Sequence, residues 1–153
     1  MTTRTHISKS PILRRIRATR GQKVDHKPLG FWYGVDGDWE RWCRAEQWGL
    51  HGEMFEHELT LGKERLLILS SVSAIDSFHE EFKGKPHLNC QWLEYIDWAR
   101  VAEQWDGVEI APYQWDRRLS GEAHNWYYSW DCASGCIWRP KGITMKLART
   151  VVA

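Results

Sequence analysis

The sequence predicts one α+β domain, and three observations carry that prediction. Its 153 residues suit a single unit with its own core. Short stretches with the two-residue period of strands alternate with stretches whose apolar residues recur at helical spacing. Neither an internal repeat nor a linker-like segment divides them, so strands and helices belong to one layered unit.

In chain order, residues 3–8 are β-compatible and precede Pro11, which predicts an opening strand. Residues 12–27 are basic, weakly patterned and interrupted by Gly21. They predict a long loop with a short helix at 12–18. Residues 29–35 (Leu-Gly-Phe-Trp-Tyr-Gly-Val) predict a second strand, closed by Asp36-Gly37-Asp38. Asp38 is placed to cap a helix over 39–48, where Trp39, Trp42 and Cys43 share a face before Gly49. Phe55, His57, Leu59 and Leu61 alternate with Glu56, Glu58 and Thr60, the pattern of a half-buried strand. Leu66-Leu67-Ile68-Leu69 then predicts a hairpin partner. Ser73 with Asp76 is a variant capping box for a helix carrying Ile75, Phe78 and Phe82 on one side. Asp97 opens a helix through Trp98, Val101 and Trp105; Asp106-Gly107 turns it into a strand at 108–111, ended by Pro112. Residues 143–152 predict a closing strand.

Eleven Trp, five Tyr and four Phe supply the bulk of the core. A buried indole needs a partner for its N–H, so some tryptophans are expected along a cleft or interface. The net charge of +1 conceals an asymmetry. Residues 1–30 hold eight Arg or Lys against Asp25 alone, whereas the remainder is net acidic. Such an arm either pairs with the protein's own acidic surface or presents cations to phosphate. No apolar run reaches the length of a membrane span, and the first residues lack a secretory h-region, so a cytoplasmic protein without membrane contact is expected.

Cys132 and Cys136 have three residues between them, one more than a zinc knuckle or a Cys-x-x-Cys redox site. Buried free thiols are the leading reading; a zinc site completed by Cys43, Cys90 or His124, or a disulfide, are the alternatives, and no metal is expected. A cysteine nucleophile has no neighbouring support. His57 is read as a core imidazole, and His51, His79 and His87 as exposed.

Three positions suggest chemistry. Glu109 lies inside a short apolar strand, where a carboxylate faces solvent or needs a partner. Tyr33 stands beside Gly34, whose missing side chain lets a flat group approach the backbone. His6 sits in the opening strand. Taken in order, Arg4-Thr5-His6-Ile7-Ser8, Gly30-Phe31-Trp32-Tyr33-Gly34-Val35 and Trp105-Asp106-Gly107-Val108-Glu109-Ile110 resemble the ADP-ribosyltransferase superfamily, a small mono-ADP-ribosyltransferase-like domain with the toxin or PARP-like His-Tyr-Glu pattern. The resemblance spans residues 3–110. Gly34 stands where that family often has Ser, and Gly107 where arginine-modifying members carry a second acid.

The resemblance implies ADP-ribosyltransferase-like split β-sheets with short flanking helices. It implies NAD as substrate, with cleavage of the nicotinamide-ribose bond and transfer to water or to an unknown protein or nucleic-acid acceptor in a bacterial or phage-infected cell. Glu109, Tyr33 and His6 would be catalytic. His6, Arg4, Tyr33, Trp32, Gly34 and Arg14 would hold the dinucleotide, with His6 on ribose, Tyr33 on nicotinamide and an Arg on pyrophosphate. A carboxylate suits the task because leaving nicotinamide develops positive charge on the sugar. The absence of a Gly-x-Gly-x-x-Gly fingerprint argues against a hydride-transferring Rossmann enzyme. The alternative is a non-enzymatic module that grips single-stranded nucleic acid or a protein with aromatic surfaces and the basic N-terminal segment.

Overall fold

Ten strands and four α-helices make up the residues that the computed structural model describes, 1–85 and 92–153. They are β1 (Arg4–Ser8), β2 (Val24–Asp25), β3 (Phe31–Val35), α1 (Asp38–Glu46), β4 (Glu53–Thr60), β5 (Leu66–Leu69), α2 (Val72–Phe82), β6 (Lys83–Gly84) and β7 (Tyr95–Asp97). There follow α3 (Trp98–Gln104), β8 (Gly107–Ile110), α4 (Trp115–Arg118), a 3-10 segment (Gly121–Ser129), β9 (Ser134–Ile137) and β10 (Thr144–Val152). One seven-stranded sheet has the order β10-β4-β1-β3-β9-β8-β5, and β2-β7-β6 form a second, small sheet. The chain is a mixed α+β fold of two sheets with flanking helices. No helix among the described residues is long and apolar enough to cross a membrane.

The large sheet is curled. β4 and β5 stand five positions apart in it, which is about 24 Å in a flat sheet. The chain from Thr60 to Leu66 reaches at most about 21 Å. The connections are also pinned to each other: the Lys63 N–H donates to the Lys141 carbonyl at 2.8 Å, and the Glu64 carboxylate accepts from the N–H groups of Lys141 and Ile143. β4 and β5 therefore do not form the expected hairpin. β4 lies antiparallel between β1 and β10, and β5 runs parallel to β8.

Strand alternation and register sort the side chains into two faces. Arg4, Tyr33, Val35, Leu59, Glu109 and Ile137 share one face; Trp32, Leu69, Val108, Ile110 and Cys136 share the other. On the second face pack the tryptophans: Trp98, Trp126, Trp130 and Trp138 are all but fully buried, and Trp32 meets Trp130 edge-on at 5.0 Å. Most of these indoles find acceptors. Trp98 donates to the Asp25 carbonyl, Trp126 to His79 Nδ1 and Trp138 to the Trp105 carbonyl.

Helix termini depart from expectation in instructive ways. Ser71, not Ser73, caps α2 by accepting from the Ala74 N–H at 3.1 Å. Asp97 caps α3 as its position predicts, accepting from Arg100. Asp38 begins α1 without capping it; its Oδ2 instead accepts from the Ala133 N–H at 2.7 Å and ties α1 to the start of β9. Residues 12–18 contain no helix. His79 is buried, contrary to its expected exposure, because both ring nitrogens are engaged, by Trp126 and by Glu94 at 2.7 Å. His57 is buried as expected. His87 lies outside the described residues.

Asp106, in the turn before β8, gathers the ends of three strands. Its carboxylate accepts from the Arg65 N–H at 2.9 Å and pairs with Arg139 at 2.8 Å and Lys141 at 2.9 Å. Its carbonyl accepts from the N–H groups of Trp138 and Arg139. Burial by itself raises the Asp106 pKa, but the Arg65 N–H and the two cations outweigh it and hold the carboxyl below its ordinary 3.8. A carboxyl depressed in the native state binds fewer protons there than in the unfolded chain. Its stabilisation is complete above the unfolded value and is lost as pH falls through the native one. Asp106→Asn is expected to lower stability at pH 7 and to flatten the acid limb below about pH 4, read by urea unfolding across pH.

Candidate active site

Two chemical clusters lie on opposite faces of the large sheet. The first is a rung across β3, β9 and β8, in which Tyr33 opposes Gly135 and Gly135 opposes Glu109. A Cβ on Gly135 would stand 2.3 Å from the Tyr33 ring and hydroxyl, so the glycine leaves the floor over which the tyrosine lies. The Tyr33 hydroxyl reaches across it and donates to Glu109 Oε2 at 2.8 Å. Arg4, from β1, forks onto the same carboxylate, Nε to Oε2 at 2.6 Å and Nη2 to Oε1 at 3.0 Å. Burial, with the Glu109 charge added, pushes the Tyr33 pKa far up, so the phenol stays protonated and donates. Burial works against the Arg4 charge, and Glu109 more than offsets it.

This cluster is closed. Glu109 is 2% and Tyr33 3% exposed. The solvent-facing member is Arg4, whose side chain retains 17% exposure against 3% for Glu109. Both carboxylate oxygens of Glu109 are taken and Glu109 does not line the cavity described next, whereas Tyr33, although its hydroxyl is held by Glu109, is among the residues that border it. The structure therefore brings Tyr33 and Glu109 together, but as partners of each other.

The second cluster surrounds a cavity of about 310 Å³. Trp32, Gly34 and Ser134, which line it, project from the face opposite Glu109. Trp39, from the first turn of α1, adds a second aromatic wall. Lys27 and Asp131 supply its charges. The Lys27 ammonium lies 5.2 Å from the Trp32 ring centroid. Burial lowers the Lys27 pKa, against which the Asp131 charge acts. Arg118 holds Asp131 through Oδ1, with Nη1 and Nη2 both at 3.2 Å. Arg118 thus fixes the Asp131 carboxylate through one oxygen, on a side chain that lines the cavity together with Lys27.

The residues expected to bind the dinucleotide are thus divided. Trp32, Tyr33 and Gly34 line the cavity, Tyr33 with its hydroxyl bound to Glu109; Arg4 is committed to Glu109; Arg14 is exposed on the N-terminal segment. His6 borders the cavity but does not meet Tyr33 and Glu109 as a third group. Its ring tilts over Phe31 at 4.5 Å, and Nδ1 lies 2.7 Å from the Trp32 carbonyl. A carbonyl only accepts, so Nδ1 carries the proton. Burial lowers the His6 pKa below its usual value, and the imidazole is neutral at pH 7. What sequence alone does not show is that β9 inserts between β3 and β8, which brings Ser134 to the Trp32 side and Asp131, just before the strand, to the cavity wall.

Gly34 serves a different neighbour from the one its sequence suggests. A Cβ there would meet Trp39 Cβ at 2.8 Å, so the glycine admits an indole of the protein itself. Gly34→Ala is expected to displace Trp39, lower stability by about 1–3 kcal/mol and reshape the cavity wall. Thermal melts and ligand titration read the two effects separately.

Cys43, Cys132 and Cys136 are buried free thiols. Burial pushes the Cys132 thiol up to about 12, which removes the thiolate a nucleophile needs at neutral pH. Among the described residues no group of three or more His, Cys, Asp or Glu is arranged to hold a metal; Cys90 lies outside them. No family model, curated protein or solved structure matches the chain.

Proposed function

We propose that the chain cleaves the nicotinamide-ribose bond of NAD and transfers ADP-ribose to water or to a macromolecular acceptor, with the reacting end of NAD in the Trp32–Trp39 cavity. Asp131 carries this reading: a carboxylate on the wall of an aromatic-lined cavity, fixed by Arg118 through one of its two oxygens. At about 310 Å³ the cavity stands at the small end of ligand pockets. That is room for nicotinamide and its ribose, with the rest of the dinucleotide outside. The indoles of Trp32 and Trp39 offer flat faces to the nicotinamide ring. As the C1′–N bond breaks, its electron pair leaves with nicotinamide and positive charge grows on the sugar, where a fixed carboxylate is most effective. The acceptor oxygen or nitrogen then bonds to C1′ and gives up its proton to solvent.

The reading moves the active carboxylate from Glu109 to Asp131 and leaves Arg4, Tyr33 and Glu109 as the brace behind the site. It retains an ADP-ribosyltransferase-like split-sheet arrangement. The test is incubation of the purified chain with NAD, alone and with cell extract, following free nicotinamide by chromatography and the ADP-ribose adduct by mass spectrometry. Nicotinamide release is expected. Its absence under both conditions overturns the proposal.

A further inference from the structure

Residues 9–23 connect β1 to β2 without helix or strand, yet the segment is fastened at three points. The Pro11 carbonyl lies 3.2 Å from His57 Nε2, Ile16 is buried, and the Thr19 N–H donates to the Trp138 carbonyl at 2.8 Å. Between and beside these fastenings stand Arg14, Arg15, Arg17 and Arg20, all exposed. Among the described residues none of the four makes an ion pair or a side-chain hydrogen bond, although the rest of the chain is net acidic. Most other arginines are engaged: Arg4, Arg41, Arg44, Arg117, Arg118, Arg139 and Arg149 each pair with a carboxylate. The basic segment is therefore not neutralised by the protein's own surface. It is an anchored ledge of unpaired guanidinium groups.

We infer that this ledge binds the phosphate backbone of a nucleic acid. Four cations within seven residues span at most about 20 Å of chain, a density suited to a linear polymer with a charge every few ångströms. Guanidinium forks match phosphate oxygens in pairs and remain charged at any physiological pH. The ledge runs into an open groove lined by Thr19, Arg20, Gln22, Glu103 and Arg139, the last already paired with Asp106, which gives a strand a path beyond the arginines. An anionic bilayer would favour an amphipathic helix, and residues 12–18 form none. This inference is independent of the NAD reaction, which uses the cavity on β3.

The test is fluorescence anisotropy with labelled twelve-nucleotide single-stranded RNA and DNA and a twelve-base-pair duplex, from 50 to 300 mM salt (about the range over which such contacts are screened). Four phosphate contacts predict a slope of log K against log salt near −3 for a single strand. Arg14→Ser/Arg15→Ser/Arg17→Ser/Arg20→Ser is expected to weaken binding at least tenfold and bring the slope toward zero. The matching Arg→Lys variant keeps most of both, which separates loss of charge from loss of fold. Comparison of the three probes assigns the strand form. Unchanged binding by the Ser variant overturns the inference, as does equal binding of poly-glutamate or tighter binding to phosphatidylserine vesicles.

Discussion

Glu109→Gln is expected to destabilise the protein by about 3 kcal/mol while leaving its secondary structure in place. The substitution keeps the shape and an acceptor for the Tyr33 hydroxyl but removes the charge that Arg4 grips through two hydrogen bonds. Breaking a buried ion pair from one side typically costs about 3–5 kcal/mol, since the surviving charge is left unpaired. Arg4 keeps some contact with solvent and can recruit water, which places the loss at the lower end. Against a total of about 5–15 kcal/mol for a domain, this is a large fraction. The urea midpoint should fall with little change in slope. A triple variant, Arg4→Met/Tyr33→Phe/Glu109→Leu, removes every polar member together and should recover much of the loss, because no orphaned charge or hydroxyl remains. If Glu109→Gln is as stable as the parent, the brace has no energetic role. If the triple variant is no better than the single one, the loss comes from shape and not from an unpaired charge.

The sequence made local structure legible where one face of an element is dry and the other wet. The Asp97 cap is an example; the strand over Phe55 stands where its pattern puts it, but its faces are less sharply divided than the alternation suggests, because Glu56 is buried against Arg149 while Phe55 is only half-buried. It did not make legible which strands are neighbours. Leu66 to Leu69 follows β4 closely and invites a hairpin, yet β5 pairs with β8, forty residues away, because all four residues are apolar and fit a parallel edge beside another buried strand. The candidate site failed to resolve for the same reason. Tyr33, Glu109 and His6 stand out by residue type, and Arg4 by the resemblance; Tyr33, Glu109 and Arg4 do converge, without His6, but the insertion of β9 decides that they converge on each other. Gly135 is the residue that permits this, and nothing in its local sequence distinguishes it from a turn glycine. Asp131 precedes the same strand and arrives at the cavity by the same insertion.

Asp131→Asn is therefore the substitution expected to cost most in activity. The change is isosteric and preserves an oxygen toward Arg118, so the cavity walls of Trp32 and Trp39 should remain. In the proposed reaction, ground-state stacking of nicotinamide depends on those walls and not on the carboxylate. KM for NAD should thus move little, while kcat for nicotinamide release falls about 10²–10³-fold, the usual range for one preorganised electrostatic contact made in the transition state. Trp32→Ala should do the reverse in part, raising KM through loss of a stacking face. Glu109→Gln, assayed at a temperature where it remains folded, provides the decisive contrast, because its carboxylate lies on the other side of the sheet beneath Arg4. Near-parental turnover in Glu109→Gln alongside collapse in Asp131→Asn is the expected pair of results. The opposite pair would return the chemistry to the buried rung and require Arg4 to swing away from Glu109 during each cycle, exposing a carboxylate that in the resting protein has no free oxygen to offer.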